Sequence, residues 1–261
     1  MNAPEHEPDE GPPSFAPKDV SSYNSTCSRA PLENPVYFPD DRSTAATLWY
    51  DAVKNFSVNI LNTMGGIRAT GRGNLPRTGG MLLVSNHASF LDVFALGGTS
   101  PRPLNYVARS TLFLPGLGSM IRSVGGFPIK REGMGAEGLK ETLRRLKNGG
   151  AVILFPEGTR SHDGSIGPLK PGIAGLAARV KAPVVPAGLA GTFESWPRGR
   201  IVPRPHAVRV HYGEPIPRQE LDQDPDRVTD CIRERMLDCY RIARAGLASD
   251  LAGSNLDLEF W

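Results

Sequence analysis

The chain has 261 residues, of which 39% are hydrophobic and 22% charged, with 29 Gly, 24 Pro and a formal net charge of +3. That length supports one sizeable core or two small ones and favours a globular, enzyme-sized body. No run approaches the roughly 18 apolar residues of a spanning helix, and the opening MNAPEHEPDEGPP is acidic and proline-rich where a secretory signal is basic and then apolar, which argues against both a regular span and secretion. The three cysteines, Cys27, Cys231 and Cys239, form no CxxC pattern, so neither a disulfide framework nor a metal site is suggested and a reducing compartment is expected.

Residues 1–44 hold eight acidic and three basic side chains together with eight prolines, leaving a net +8 for the remainder. With few periodic apolar positions, this composition cannot offset the entropy of ordering, and it reads as a disordered acidic tail. Residues 45–66 follow as an amphipathic helix. Trp49, Val53, Phe56, Ile60 and Met64 fall three or four apart, on one stripe. Such a helix fits a membrane interface, with Trp49 and Tyr50 at headgroup level, and fits equally a packed position on the body of the domain.

Over residues 67–250 short apolar runs alternate with longer segments. MLLVS at 81–85, LNYVA at 104–108, AVILF at 151–155, APVVPAG at 182–188 and AVRVHYG at 207–213 read as strands. Residues 137–148, with Leu139, Leu143 and Leu146 on one face, residues 172–181 and residues 226–248 read as helices, and 251–261 as a C-terminal tail. The alternation implies an α/β fold: a single domain with a mixed, largely parallel sheet flanked by helices. Cys231 and Cys239 fall in the last helix as core side chains rather than reactive thiols.

From Gly66 to Arg131 the chain carries eight cations and one acid, Asp92. A field this positive attracts phosphate-bearing ligands, anionic headgroups or nucleic acid, and charge alone does not choose among them. In open α/β sheets ligands gather beyond the C-terminal ends of the strands. Directly after MLLVS comes Asn86-His87-Ala88-Ser89-Phe90-Leu91-Asp92. In one regular helix, positions five apart face different ways, so His87 and Asp92 meet only if His87 sits in the turn and Asp92 on the helix after it. Joined, they form a general-base pair: the carboxylate fixes the imidazole tautomer and leaves the other nitrogen free to take a proton. After AVILF comes Pro156-Glu157-Gly158-Thr159-Arg160-Ser161, where Arg160 can grip phosphate and Glu157 either orients Arg160 or bonds a substrate hydroxyl. Each stretch alone also reads as an ordinary structural turn. Gly125-Gly126-Phe127-Pro128-Ile129-Lys130-Arg131 ends in adjacent cations.

In this order and spacing the three stretches resemble the glycerolipid acyltransferase family, which includes the 1-acylglycerol-3-phosphate acyltransferases. Its first motif, His, four residues and Asp, matches His87 and Asp92. Its second matches Ile129-Lys130-Arg131, and its third, Phe-Pro-Glu-Gly-Thr-Arg-Ser, matches Phe155 to Ser161 in full. Its fourth looks like Val184-Val185-Pro186, followed here by Ala187-Gly188 in place of the usual branched pair, a departure expected to reshape the acyl or acceptor pocket. The resemblance implies that His87 deprotonates an acceptor hydroxyl, held by Asp92, and that the hydroxyl attacks an acyl thioester. It assigns Arg131, Glu157, Gly158, Thr159 and Arg160 to the acceptor's glycerol phosphate, with Lys130 as an electrostatic helper. No cofactor is implied beyond acyl-CoA or acyl carrier protein as co-substrate. The expected partners are a membrane surface, contacted through the helix at residues 45–66, and a lysophospholipid, not nucleic acid, and the expected location is the cytoplasmic face of a membrane, peripheral or monotopic. Another lysolipid or an amino-lipid acceptor, or a lipid-surface binding protein of the same fold, are the competing readings.

Overall fold

The computed structural model describes residues 43–129 and 135–253. Among them a seven-stranded sheet is built from β1 (Ile67–Thr70), β2 (Met81–Ser85), β3 (Leu104–Arg109), β4 (Gly126–Ile129), β5 (Ala151–Leu154), β6 (Val184–Ala190) and β7 (Val208–Tyr212), in the order β1-β7-β6-β2-β5-β3-β4. The pairs from β6 through β2, β5 and β3 to β4 are parallel, β6 and β7 are antiparallel, and β1 runs parallel to β7. The mixed, largely parallel sheet expected from the sequence is therefore present. Five strands deliver their C-terminal ends to one rim, which is where the chemistry collects.

β2 is buried at all five positions because both faces of the sheet are covered. Met81 and Leu83 point to a core shared with Tyr50, Leu61, Leu91 and Leu96, side chains of α1 (Thr44–Thr63) and α2 (Leu91–Thr99). Leu82 and Val84 point to a second core completed by Leu146 of α4 (Gly135–Lys147), Ile173 and Leu176 of α5 (Gly172–Arg179), and Ile232 and Met236 of a long C-terminal helix. That helix is α8 (Pro225–Gly253); α3 (Leu117–Ser123), α6 (Thr192–Ser195) and α7 (Arg218–Leu221) are short connectors. Strands β1 and β4 carry four residues each, too few to declare themselves by alternation, and α8 overruns the expected boundary at residue 250.

Helix α1 begins where Ser43 accepts a hydrogen bond from the Ala46 N–H, a side-chain N-cap. Its packed face is Tyr50, Ser57 and Leu61, while Leu48, Trp49, Phe56 and Ile60 are exposed. The expectation that Tyr50 sits at a headgroup level beside Trp49 is corrected: Tyr50 is buried, its hydroxyl 3.1 Å from that of Tyr106 and accepting from the Leu104 N–H. No described helix is long and apolar enough to cross a membrane.

The small pair Ala187-Gly188 also has a packing explanation. A Cβ on Gly188 would stand 2.2 Å from the Tyr240 backbone nitrogen, so its missing side chain is what lets α8 lie against β6. On the same helix, burial pushes the Cys239 thiol up to about 12 and the Cys231 thiol, which donates to Glu220, up to about 11, as expected of core rather than reactive cysteines.

Candidate active site

Beyond β2 the chain turns sharply into α2, and the turn is wrapped around one carboxylate oxygen. Asp92 is fully buried in the first turn of α2, and its Oδ2 accepts from the backbone N–H of Ala88 at 2.7 Å, that of Ser89 at 2.8 Å and the imidazole Nδ1 of His87 at 2.8 Å. Ala88 and Ser89 lie in the turn ahead of the helix N-cap, Phe90, so the first-turn carboxylate pins that turn back onto the start of α2. A carboxylate can only accept, so Nδ1 carries the ring proton and Nε2 presents a lone pair. The His87 ring is stacked on Phe155, centroids 4.0 Å apart and planes 17° off parallel, and its side chain stays 19% exposed. Asn86 fastens the base of the turn by donating to the Leu189 carbonyl at 3.1 Å and accepting from the Leu189 N–H at 2.8 Å, as a strand residue would. Ser89 Oγ donates to the Trp196 carbonyl at 2.8 Å.

The chain beyond β5 meets this turn from the neighbouring strand. Glu157 is buried and its two oxygens are committed to backbone donors, the His87 N–H at 2.8 Å and the Gly167 N–H at 3.0 Å. The Ser161 N–H donates back to the His87 carbonyl at 2.7 Å. Burial raises the Glu157 pKa, and the His87 and Gly167 amides pull it back down. The expectation that Glu157 orients Arg160 or a substrate hydroxyl is therefore revised: the carboxylate holds the peptide unit that carries the base. Gly158 has φ +69°, a left-handed conformation that reverses the chain, and its carbonyl accepts from Arg109 at 3.2 Å. Thr159 is exposed.

Arg160 lies over Phe90, its guanidinium carbon 3.7 Å from the ring centroid, and makes no hydrogen bond or ion pair among the described residues. Burial, and then the nearby Arg198, lower its pKa, with Asp92 pulling the other way and Arg109 adding repulsion. An arginine in this setting is held by an aromatic face while its N–H groups remain available to an anion. Arg109, at the end of β3, and Arg198, beyond α6, join this positive field although neither stood out in the sequence. Arg109 had a signal, its position directly after a predicted strand; Arg198 had none. The second-motif cations Lys130 and Arg131 lie outside the described residues. β4 ends with Ile129 in register with Arg109, at the same rim. Among the described residues no cluster of His, Cys, Asp or Glu could hold a metal ion.

His87 paired with Asp92 and the guanidinium of Arg160, which has no acceptor among the described residues, stand at one rim of an α/β sheet, and residues 66–190 match the family model described as Acyltransferase. The 1-acyl-sn-glycerol-3-phosphate acyltransferase of Bacillus subtilis (strain 168) is 30% identical over 184 residues, 68% of this chain and 89% of that protein. A chloroplastic protein of the same name from Brassica napus is 36% identical over 59% of this chain, which spans 45% of its length. The crystal structure of the 1-acyl-sn-glycerophosphate acyltransferase PlsC from Thermotoga maritima superposes with a TM-score of 0.67 at 25% identity, covering 81% of this chain and 83% of that one. The chain belongs to the glycerolipid acyltransferase family.

Proposed function

We propose that this chain transfers a fatty acyl group from an acyl thioester, acyl-CoA or acyl carrier protein, to the free hydroxyl of 1-acylglycerol-3-phosphate, giving phosphatidate for phospholipid synthesis at a membrane surface. The observation that carries the proposal is the pairing of His87 with Asp92 next to an arginine that has no internal anion. His87 Nε2 takes the proton of the acceptor hydroxyl as its oxygen bonds to the thioester carbon. The tetrahedral intermediate then expels the thiolate, and the imidazolium returns the proton to sulfur. Asp92 stabilises the imidazolium without itself becoming protonated, and no acyl-enzyme forms. Arg160, with Lys130 and Arg131 as second-motif cations, takes the acceptor phosphate, while Glu157 keeps His87 in place. The relatives' printed names support the lysophosphatidate acceptor, and the exposed Leu48, Trp49, Phe56 and Ile60 of α1 support a membrane-contacting role.

The test is product analysis by mass spectrometry, giving the purified chain both donors with lysophosphatidate, other lysophospholipids and phosphate-free monoacylglycerol. Phosphatidate as the dominant product is expected. Equal rates on phosphate-free acceptors would remove the phosphate role of Arg160, and no transfer from either donor would overturn the assignment.

A further inference from the structure

Between α6 and β7 the chain forms a closed loop at the edge of the active rim. Its stem is sealed by the Arg204 N–H donating to the Ser195 carbonyl at 2.9 Å and by Ser195 Oγ donating to the Arg204 carbonyl at 2.7 Å. Inside it, the Trp196 indole N–H donates to the Arg200 carbonyl at 2.8 Å, so the tip is held in shape before anything binds. That tip is Ile201 and Val202, 90% and 69% exposed, the most exposed large apolar side chains among the described residues. Arg198, Arg200 and Arg204 flank them, all exposed and none in an ion pair among the described residues; Arg198 reaches His162 at 3.2 Å, and Arg204 Nε donates to the Glu194 carbonyl at 2.5 Å. An apolar point contributes nothing to the fold, and the three cations around it have no counter-charge among the described residues. Both features gain a purpose against a surface that is apolar within and anionic at its face.

The loop is also tied to the two elements that a bilayer-resident substrate concerns. At its root, the Trp196 carbonyl takes the Ser89 hydroxyl of the His87 turn, and the Trp196 ring lies 5.8 Å from that of Phe90. On its far leg the His206 N–H donates to the Met64 carbonyl, just past the end of α1, at 2.5 Å. We infer that residues 196–204 are a second membrane contact, distinct from α1: Ile201 and Val202 enter the interfacial zone of a bilayer, the arginines bind its anionic headgroups, and the His87 rim is thereby seated on the surface. The inference rests on the proposed function, in that an acceptor held in a bilayer must be brought to His87.

The experiment is sedimentation of the full chain with substrate-free vesicles of phosphatidylcholine, with and without phosphatidylglycerol. Replacing Ile201→Ser together with Val202→Ser is expected to lower partitioning about tenfold or more, with unchanged thermal unfolding and unchanged turnover of a short-chain monomeric lysophosphatidate. Arg200→Gln is expected to cost about fivefold on the anionic vesicles and nothing on phosphatidylcholine alone. Ile201→Trp supplies a direct reading of depth, with quenching by brominated acyl chains in excess of the parent's. Undiminished partitioning of the serine variant, or no added quenching, would overturn the inference. So would a loss of turnover confined to acyl carrier protein as donor, which would assign the loop to that protein. Because the vesicles hold no substrate, a parent chain that binds them without transferring acyl groups would fail the functional proposal alone.

Discussion

The sheet has arginines at both rims, and they are held in opposite ways. At the N-terminal rim Arg102 donates to the carbonyls of Pro76, Gly79 and Gly149, and Arg145 to Glu141, to the Asn105 side chain and to the Gly125 carbonyl while lying over Phe127. A cavity of about 470 Å3 opens there, lined by Arg122, Arg144 and Arg145 among others. At the C-terminal rim Arg160 has an aromatic face beneath it and no acceptor, with Arg198 and Arg109 close enough to perturb it. Arg102 and Arg145 therefore differ from Arg160 in that their guanidinium donors are already committed. The first two tie elements of one chain together; Arg160 awaits an anion from outside.

The largest effect that would break this contrast lies with the base. His87→Ala is expected to lower kcat by about 10²- to 10⁴-fold, the usual share of a positioned base, with the chain still folded but somewhat less stable, since the ring leaves Phe155 and one of three donors leaves the buried Asp92 oxygen. Asp92→Asn should lose a comparable factor, since an amide in that place can donate to Nδ1 and so favour the wrong tautomer. Turnover retained by His87→Ala would show that the active rim lies elsewhere. The arginines then test the contrast directly. Arg160→Gln should raise KM for lysophosphatidate by about 10- to 100-fold, the loss of a charge-assisted hydrogen bond to phosphate, and leave unfolding in denaturant unchanged. Arg145→Gln should do the reverse, costing about 1.5–3 kcal/mol of stability with KM unaltered. A KM effect from Arg145 would make the lower cavity a substrate site.

Glu157 sits between these two cases, a charge committed to backbone but at the active rim. Glu157→Gln keeps one acceptor and turns a donor toward the other N–H, so about a tenfold loss of kcat with little change in KM is expected, through displacement of His87. Its pKa is raised in the folded state, so the fold binds this proton more tightly than the unfolded chain does. Stability then falls as pH climbs from the unfolded value through the folded one. The parent should lose stability across that window relative to Glu157→Gln, as denaturant titrations at stepped pH would show.

These residues also mark what could be read before any fold was known. His87 and Asp92 were legible because a strand end, a turn and a first-turn acid form a local pattern, and local geometry alone joins them. Glu157 was misread for the same reason: its sequence neighbour Arg160 was the obvious partner, whereas its real partner is a peptide N–H 70 residues away that only the parallel pairing of β2 and β5 brings near. On α1 the periodicity selected Trp49, Phe56 and Ile60, yet Tyr50, Ser57 and Leu61 face the body, because burial of Tyr50 is decided by hydroxyl partners on another strand. Arg198 joins the rim through the crossing from β6, which no spacing encodes.

The smallest effect tests the committed side of the contrast. Glu141 accepts from both Arg144 and Arg145; the Arg144 hydrogen bond first, opposed by burial and then helped by Arg145, holds its carboxyl at about 2. Because the folded pKa is depressed, the stabilisation is fully present above the unfolded value near 4.5 and is lost as pH falls toward 2. The side chain is partly exposed, so solvent screening makes the full shift overstate the energy, and Glu141→Gln is expected to cost only about 0.5–1 kcal/mol at neutral pH. The gap between parent and variant should close on acidification through that window and shrink in high salt, since exposed charges are screened. A gap that persists at pH 2 would mean that Glu141 acts through packing, and the lower rim would then be held by shape rather than by spent donors.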